Sequence, residues 1–374
     1  MLVQSMLRYA VSHGLSAQAA ITKLSNDYGI KVKQYDDRVV LNYSQIDSPK
    51  NSAVTNLCRG LILSFPDFHV LSRTFDRFYN LGEVDGQDHE MGDKHIFEKL
   101  DGSLISIYFD DNHDKWQIAT RGTAFGEACL ANSDKTYREL VLETLELTED
   151  KFQDYSDYYF DMRMTYICEI CSPENRIVTP YQESKLVLLA VREKYTGTYF
   201  NYYNEKPSIF DSPRTFTFDS REHAVEASNA LQGLEEGYVV YSKQGVPLYK
   251  IKSPKYCAIH LLRGDLTFSK KRLAELVISN EQEEYLTYYP EDKKHIKPYE
   301  DSLASMLHMY QEIFDNTMDV TKGNQKEFAL IVKNWREAAI FFQAKAKGIS
   351  IKEAFNQQKM KYRVDILLNK MYPF

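Results

Sequence analysis

Apolar residues recur at helical spacing in MLVQSMLRYAV (1–11) and SAQAAITKLSNDY (16–28), which predicts two short helices parted by His13-Gly14. The pattern then changes. DRVVLNY (37–43), LCRGLILSF (57–65), HVLSRTF (69–75), SLISIYF (103–109) and WQIATRG (116–122) are rich in β-branched and aromatic residues and are separated by Pro, Asp, Asn and Gly, so they read as strands. Apolar spacing from Glu127 to Leu147 predicts one long surface helix. YYFDMRMTYICEI (158–170) and KLVLLAVRE (185–193) return to strand character, and the second is apolar enough to be buried on both faces. CSPENRIVTPYQE between them is a loop, and Ser208 to Ser220, with two prolines, is a surface excursion. Helix REHAVEASNAL (221–231) leads to a hairpin of GYVVYSK and PLYKIKS turning at Gln244-Gly245.

After Ser253-Pro254 every segment has helical periodicity: KKRLAELVIS, DSLASMLHMYQEIF, QKEFALIVKNWREAAIFFQAKAK and IKEAFNQQKMKYRVDILLNKMY, with breaks at Lys322-Gly323 and Lys347-Gly348. The expectation is an α+β chain: residues 1–254 form a mostly β domain with flanking helices, and residues 255–374 an all-α domain of ordinary size. Charge divides at the same place. From Ser253 onward 19 Lys and Arg face 16 Asp and Glu, so the helical part carries +3 and the part before it −10 of the total −7. That balance excludes a protein that coats nucleic acid by bulk electrostatics and leaves room only for a local patch. No apolar run approaches the length of a membrane span, and the first residues lack a basic leader with a continuous apolar core, so the expected location is the cytoplasm. Five irregularly spaced cysteines fit a reducing compartment; Cys168-Glu-Ile-Cys171 has no second pair to complete a zinc or redox site.

The candidate chemistry centres on IFEKLDGSLISIYF (96–109). Lys99 stands beside an Asp101-Gly102-Ser103 turn, where it is a candidate covalent nucleophile if other groups hold it neutral and bring a phosphate to it. An unperturbed lysine, with pKa about 10.4, is neutral in only about one molecule in a few thousand at pH 7. Lys250 and Lys252 share one face of a strand, where they can grip a phosphate and repel the charge on a third lysine. Glu236, with Glu235 as its solvated alternative, can pair with those lysines or hold a divalent cation. Glu169 is either an acceptor for a ligand hydroxyl or a partner for an arginine such as Arg176. Arg59, Arg73, Arg77 and Arg121 offer planar forks for phosphate oxygens; Phe75, Phe78 and Tyr79 read as core.

Taken in order, CRG (58–60), SRTFDRFYNLGE (72–83), KLDGS (99–103), NRIV followed by YQE, EGYVV and YKIKS resemble the signatures of the covalent nucleotidyltransferases, and among them the RNA ligase 1 family of T-even bacteriophages. The resemblance covers about residues 35 to 260. It implies a nucleotidyltransferase domain built on antiparallel sheets, with ATP and Mg2+ (or Mn2+) as cofactors. Position by position it makes Lys99 the adenylated lysine, with Asp101 orienting it or its metal-bound water, Glu236 the metal carboxylate, Lys250 and Lys252 the α-phosphate pair, and Glu169 the residue at the nucleoside sugar. Arg59, Arg77 and Arg121 fall at basic positions near ATP, the last two in place of lysines. Tyr256 matches an aromatic position that serves ligation. Leu41 stands where an ATP-contacting tyrosine is expected, with Tyr43 as a substitute, and Glu283 and Glu284 fall near a paired-aspartate metal position.

The implied function is an ATP-dependent RNA ligase that joins 5′-phosphate and 3′-hydroxyl ends through a lysyl-AMP intermediate, in RNA repair. The helical domain would recognise structured RNA such as a tRNA cleaved in its anticodon loop. The expected protein is a monomer, acting in the cytoplasm of an infected bacterial host if phage-encoded. The alternatives are a GTP-dependent capping-type guanylyltransferase and a non-catalytic RNA-binding protein on a ligase scaffold. An OB domain, which would need short alternating strands after KIK, is not predicted there.

Overall fold

The computed structural model describes residues 1–84, 91–130, 133–200, 207–231, 234–257, 270–283, 286 and 293–372. The chain divides into two compact units, Met1–His260 and Leu261–Phe374.

In the first unit, helices α1 (Leu2–Ser12) and α2 (Ala17–Tyr28) form where the periodicity predicts them. Ser16 caps α2 through its hydroxyl, and Gly29 ends it in the left-handed conformation. Their apolar stripes (Val3, Leu7, Ile21, Leu24) cover one face of an antiparallel sheet of β1 (Ile30–Gln34), β2 (Arg38–Tyr43), β3 (Arg59–Ser64) and β4 (Val70–Ser72), with the short helix α3 (Ala53–Leu57) inserted before β3. Val40, Ile62 and Leu71 on its other face meet Tyr108 and Ala119 of a second sheet.

Two five-stranded sheets complete the unit. β5 (Tyr79–Asn80), β6 (Lys94–Glu98), β7 (Ser103–Asp110) and β8 (Lys115–Thr120) precede α4 (Tyr137–Thr144) and α5 (Glu149–Tyr159). β9 (Met164–Cys171), β10 (Lys185–Glu193), β11 (Tyr199–Phe200), β12 (Thr215–Phe216), α6 (Arg221–Asn229), β13 (Gly237–Ser242) and β14 (Pro247–Lys252) follow. The strand orders are β11-β10-β9-β7-β8 and β12-β6-β13-β14-β5, antiparallel except for β14 with β5. Ile105, Ile107 and Ile167 of the former join Phe97, Val239 and Tyr241 of the latter in one core, which α4 and α5 close with Leu140, Val141 and Phe152. The opposite face of the latter sheet (Ile96, Tyr238, Val240, Tyr249, Ile251) lies under α6.

The fold class is thus α+β, with antiparallel sheets, flanking helices and a helical C-terminal region. Several elements differ from the sequence expectation. Of the long helix expected over 127–147 only α4 forms among the described residues, and an isolated bridge joins Cys129 to Thr136 ahead of it. A Thr136–Glu139 capping box starts α4 only at Tyr137, and Thr148 caps α5. Leu130, ahead of α4, enters the same core as Leu140 and Val141, so the apolar spacing runs on across the true helix start. α5 also takes Tyr158 and Tyr159 from the expected strand, which begins at Met164. The 208–220 excursion contributes β12 and the buried Phe210. β1 and β6 carry lysines on their polar positions and were not predicted.

In the second unit, α7 (Lys270–Ile278), α8 (Lys293–Val320), α9 (Gln325–Val332), α10 (Ala338–Lys347), α11 (Ile351–Asn356) and α12 (Met360–Met371) share one core, including Leu273, Met306, Phe328, Phe341, Phe355 and Leu367. The two longest predicted segments each split, at 333–337, where Trp335 packs on Phe341, and before Lys359. Gly348 closes α10 in the left-handed conformation, as the Lys-Gly break predicts.

Among the described residues, the most deeply buried ion pair joins the first two sheets. Arg38 and Asp110 are both fully buried, 2.6 Å apart, and Asp37 holds the other edge of the guanidinium at 2.5–2.8 Å. Removing Asp110 leaves the fully buried guanidinium with the Asp37 carboxylate alone to balance it, and that carboxylate is about one-third exposed. Asp110→Ala is expected to cost on the order of 3 kcal/mol, read as a lower urea midpoint at unchanged slope. Adding Arg38→Met should recover part of the loss.

Candidate active site

Lys99 follows β6 directly, and its backbone N–H still donates to Gly237 O of β13 (2.8 Å), so the sheet holds its main chain in place. The next turn is clamped from three sides. Asp101 Oδ2 accepts the N–H groups of Val178 (2.8 Å) and Thr179 (2.6 Å), its Oδ1 accepts the Tyr256 hydroxyl (2.5 Å), and its own N–H donates to Tyr181 Oη (3.0 Å). Gly102 N–H donates to Glu169 Oε1 at 3.1 Å. Gly102 has to be glycine here: a Cβ would lie 2.3 Å from the Ile170 carbonyl oxygen.

Glu236 ends the approach to β13 and is 5% exposed. Its Oε2 lies 2.6 Å from Lys99 Nζ, and its Oε1 3.5 Å from Lys252 Nζ. The arrangement depends on Gly237, whose φ of +131° and close approach to Ile251 O (2.1 Å for a Cβ) leave no room for a side chain. In the β13–β14 register Val239 faces Lys250 and Gly237 faces Lys252, so both lysines share the face of Val239, with Lys250 Nζ 5.3 Å from the Phe78 ring centre. Period two therefore places the pair as read from KIK.

Glu169, on β9, is close enough to feel Lys99, Glu236 and Arg59. Burial, with the Glu236 charge, pushes its carboxyl up to about 7 against the opposing pull of Lys99 and Arg59. Arg176 is not its partner; that side chain donates to Val178 O. Arg77 and Arg121 approach the ring of Tyr43 at 4.2 and 4.5 Å, and Arg59 lies over Phe75 and Phe78 at 5.7 and 5.2 Å. Burial and the neighbouring Arg59 and Arg77 charges hold Arg121 below its usual value. Arg59 Nε and Arg77 Nη1 are buried without a hydrogen-bond partner. Three of the four singled-out arginines therefore form one cationic cluster. Arg73 stands apart, buried against Thr196 O and Asp76.

Leu41 is buried beneath α1 and α2, and Tyr43 is the residue that meets the arginines. Phe75 and Tyr79 are core, and Phe78 is only partly buried. Sequence reasoning missed Asn42, which fixes Arg121 through Nε to Oδ1 (3.2 Å) and its own Nδ2 to Arg121 O (2.7 Å). It also missed Thr179 and gave Tyr181, part of the YQE signature, no role; their partner Asp101 lies some eighty residues away. Glu283 is exposed in the second unit, and Glu284 lies outside the described residues. Among the described residues no group of three or more His, Cys, Asp or Glu side chains could hold a metal ion.

Residues 57–256 match a family model described as RNA ligase. The chain is 35% identical over 361 residues to a putative bifunctional polynucleotide kinase/RNA ligase of Autographa californica nuclear polyhedrosis virus, covering 91% of this chain and 50% of that protein, so it spans about half the length of that relative. It is 24% identical over 419 residues to an RNA ligase of Rhodothermus phage RM378, covering 92% and 93% of the two chains. Among solved structures, an archaeal ATP-dependent RNA ligase aligns with 72% of this chain and 70% of its own at a TM-score of 0.46 and 14% identity. No helix among the described residues is long and apolar enough to cross a membrane.

Two outcomes follow from this geometry. Gly102→Ala must push a strand backbone aside and is expected to lose about 2 kcal/mol or more of stability, measured by urea unfolding. Glu169 binds its proton more tightly folded, at about 7, than at the ordinary 4.5. Between those values the folded state holds a proton the unfolded state has lost, so this group's contribution to stability falls as pH rises through the window and is level above it. Glu169→Gln should flatten that slope in unfolding curves at pH 5, 6 and 7.5.

Proposed function

The chain belongs to the RNA ligase family, and from that membership we propose that it is an ATP-dependent RNA ligase whose nucleophile is Lys99. The observation that carries the reading is the buried Glu236 carboxylate shared by Lys99 and Lys252, beside a Glu169 that also feels Arg59 of the arginine cluster.

Lys99 Nζ attacks the α-phosphorus of ATP, the bond to the leaving pyrophosphate breaks, and AMP remains joined to the lysine through a P–N bond. Lys250 and Lys252, side by side on one face, stabilise the charge gathering on the α-phosphate, which is where most catalysis of phosphoryl transfer resides. Arg59, Arg77 and Arg121 hold the remaining phosphates, whose oxygens suit their planar forks. Glu169 accepts a hydroxyl of the nucleoside sugar. A divalent cation, Mg2+ or Mn2+, fits a site with a single buried carboxylate, because such ions are bound by one or two carboxylates together with substrate phosphates; Glu236 would hold it, and it would lower the phosphate charge. AMP then passes to an RNA 5′-phosphate, and the 3′-hydroxyl of the other end attacks that phosphate and expels AMP.

Asp101 is a positioning residue on this reading. Its oxygens go to Tyr256 and the 178–179 backbone rather than to Lys99, so it holds the turn that carries the lysine. Tyr256 acts through Asp101 in the same way. Residues 255–374 are the RNA-specificity domain, with cleaved tRNA as the substrate class and infected-host cytoplasm as the setting, and the enzyme acts as a monomer.

Incubation with ATP labelled at the α-phosphate and Mg2+, without RNA, should leave label on the chain in a denaturing gel. Lys99→Ala should take none, and Glu236→Gln about a hundredfold less than the parent. No band with the parent chain, or an undiminished band in Lys99→Ala, overturns the reading. Label from GTP instead of ATP would assign a guanylyltransferase.

A further inference from the structure

Lys99 and Glu236 stand on separate segments, one leaving β6 and the other leading into β13. Their strand sides are fixed by main-chain bonds: Lys99 N–H donates to Gly237 O, and Ser253 N–H donates to Glu236 O, both at 2.8 Å. Away from the strands, both segments are tied to Thr179 in the loop after β9. Its N–H donates to Asp101 Oδ2 at 2.6 Å, two residues after Lys99, and its hydroxyl donates to Leu234 O at 2.8 Å, two residues before Glu236. One residue thus binds both segments close to the ion pair, whose Nζ and Oε2 are 2.6 Å apart.

That loop is itself anchored, so it can act as a fixed support. Val178 N–H reaches the same Asp101 oxygen (2.8 Å), Asn175 Nδ2 donates to Ser103 Oγ (3.0 Å), and Tyr137 Oη, at the start of α4, donates to Asn175 Oδ1 (3.0 Å). Lys135 adds an ion pair with Glu174 at 2.8 Å. Thr179 suits its place by its own stiffness. A β-branched side chain is restricted at χ1, and Pro180 biases the residue before it toward extended backbone, so the hydroxyl has little freedom to turn away from Leu234. Without that hydroxyl the approach to Glu236 loses its bond to the loop, and the carboxylate can shift against Lys99. A misplacement of about 1 Å among reacting groups costs on the order of a hundredfold in rate.

We propose that Thr179 is a positioning residue for the nucleophile: with its amide on Asp101 and its hydroxyl on Leu234, it sets the separation of Lys99 from Glu236 while the lysine takes up AMP. It acts through those two partners rather than on the reacting atoms. The assignment rests on the ligase reading above.

Thr179→Val keeps the shape of the side chain and the amide on Asp101 and removes only the hydroxyl; Thr179→Ser puts a hydroxyl back. Both are compared with the parent in the rate of self-labelling by α-labelled ATP over a range of ATP concentrations, and in sealing of a pre-adenylylated donor RNA, a step in which Lys99 is not the nucleophile. In Thr179→Val the labelling rate at saturating ATP should fall about tenfold, less than the hundredfold of a full misplacement, with the ATP concentration for half-maximal rate unchanged. Sealing should fall by less than labelling, and Thr179→Ser should stay close to the parent. Labelling at the parent's rate in Thr179→Val overturns the assignment. So does an equal loss of labelling and sealing, or a Thr179→Ser no faster than Thr179→Val, since either would make the residue merely structural. A parent chain that takes no label and seals no ends overturns the ligase reading, and the assignment falls with it.

Discussion

One carboxylate holds the candidate site together. Glu236 is almost completely buried, and a buried carboxylate is tolerable only when its charge is met. Lys99 and Lys252 meet it from two directions, one from the turn after β6 and one from the end of β14. The proposed nucleophile and the proposed phosphate clamp are therefore placed relative to each other by a third residue that touches both. Without it two ammonium groups would face each other across a poorly solvated gap. The pairing also leaves the cluster with one excess positive charge, which suits an anionic substrate.

That contact exists because two strands approach more closely than side chains permit. Gly237 lies against Ile251 O, and Gly102 against Ile170 O, in each case too near for a Cβ. The first closeness brings Lys252 to Glu236; the second brings the turn after Lys99 to Glu169, whose carboxylate takes the Gly102 amide. Asp101 completes the arrangement at longer range. By accepting from residues 178, 179 and 256 it ties the loop after β9 and the segment after β14 to the same turn. A short motif thus becomes a junction of four chain segments, and its rigidity comes from backbone hydrogen bonds rather than from packing alone.

How far this was legible in the sequence follows from which interactions are local. Strand alternation put Lys250 and Lys252 on one face, and the Lys347-Gly348 break marked a real helix end. The 127–147 stretch misled because Leu130, ahead of α4, enters the same core as Leu140 and Val141, so the apolar spacing shows no break where the helix begins. At the site, residue types identified Lys99, Glu236 and the arginines as candidates, but which arginines gather depends on packing between sheets: Arg73 is as suggestive in sequence as Arg77, yet it is committed to Asp76 and Thr196. Asn42 and Thr179 carry no sequence signal, and Tyr181 stands in the YQE signature without a legible role, because their work is done through partners far along the chain.

The remaining imbalance lies in the arginines. Arg77 and Arg121 share the Tyr43 ring, Arg59 adds a third charge nearby, and burial together with this mutual repulsion disfavours the charged form of Arg121. Aromatic faces offset part of that cost, since a ring quadrupole attracts a cation, but by about 1–2 kcal/mol each. Two buried guanidinium nitrogens still lack an acceptor. Glu169, pushed toward its neutral form by the same burial, does not supply one, for its hydrogen bond is to Gly102. A cluster built this way is less stable alone than with a polyanion in it. On the proposed reading, the binding energy of a triphosphate there would be in part the relief of repulsion that folding left in place, which is how a site can hold phosphates firmly and still be arranged around the atom that reacts.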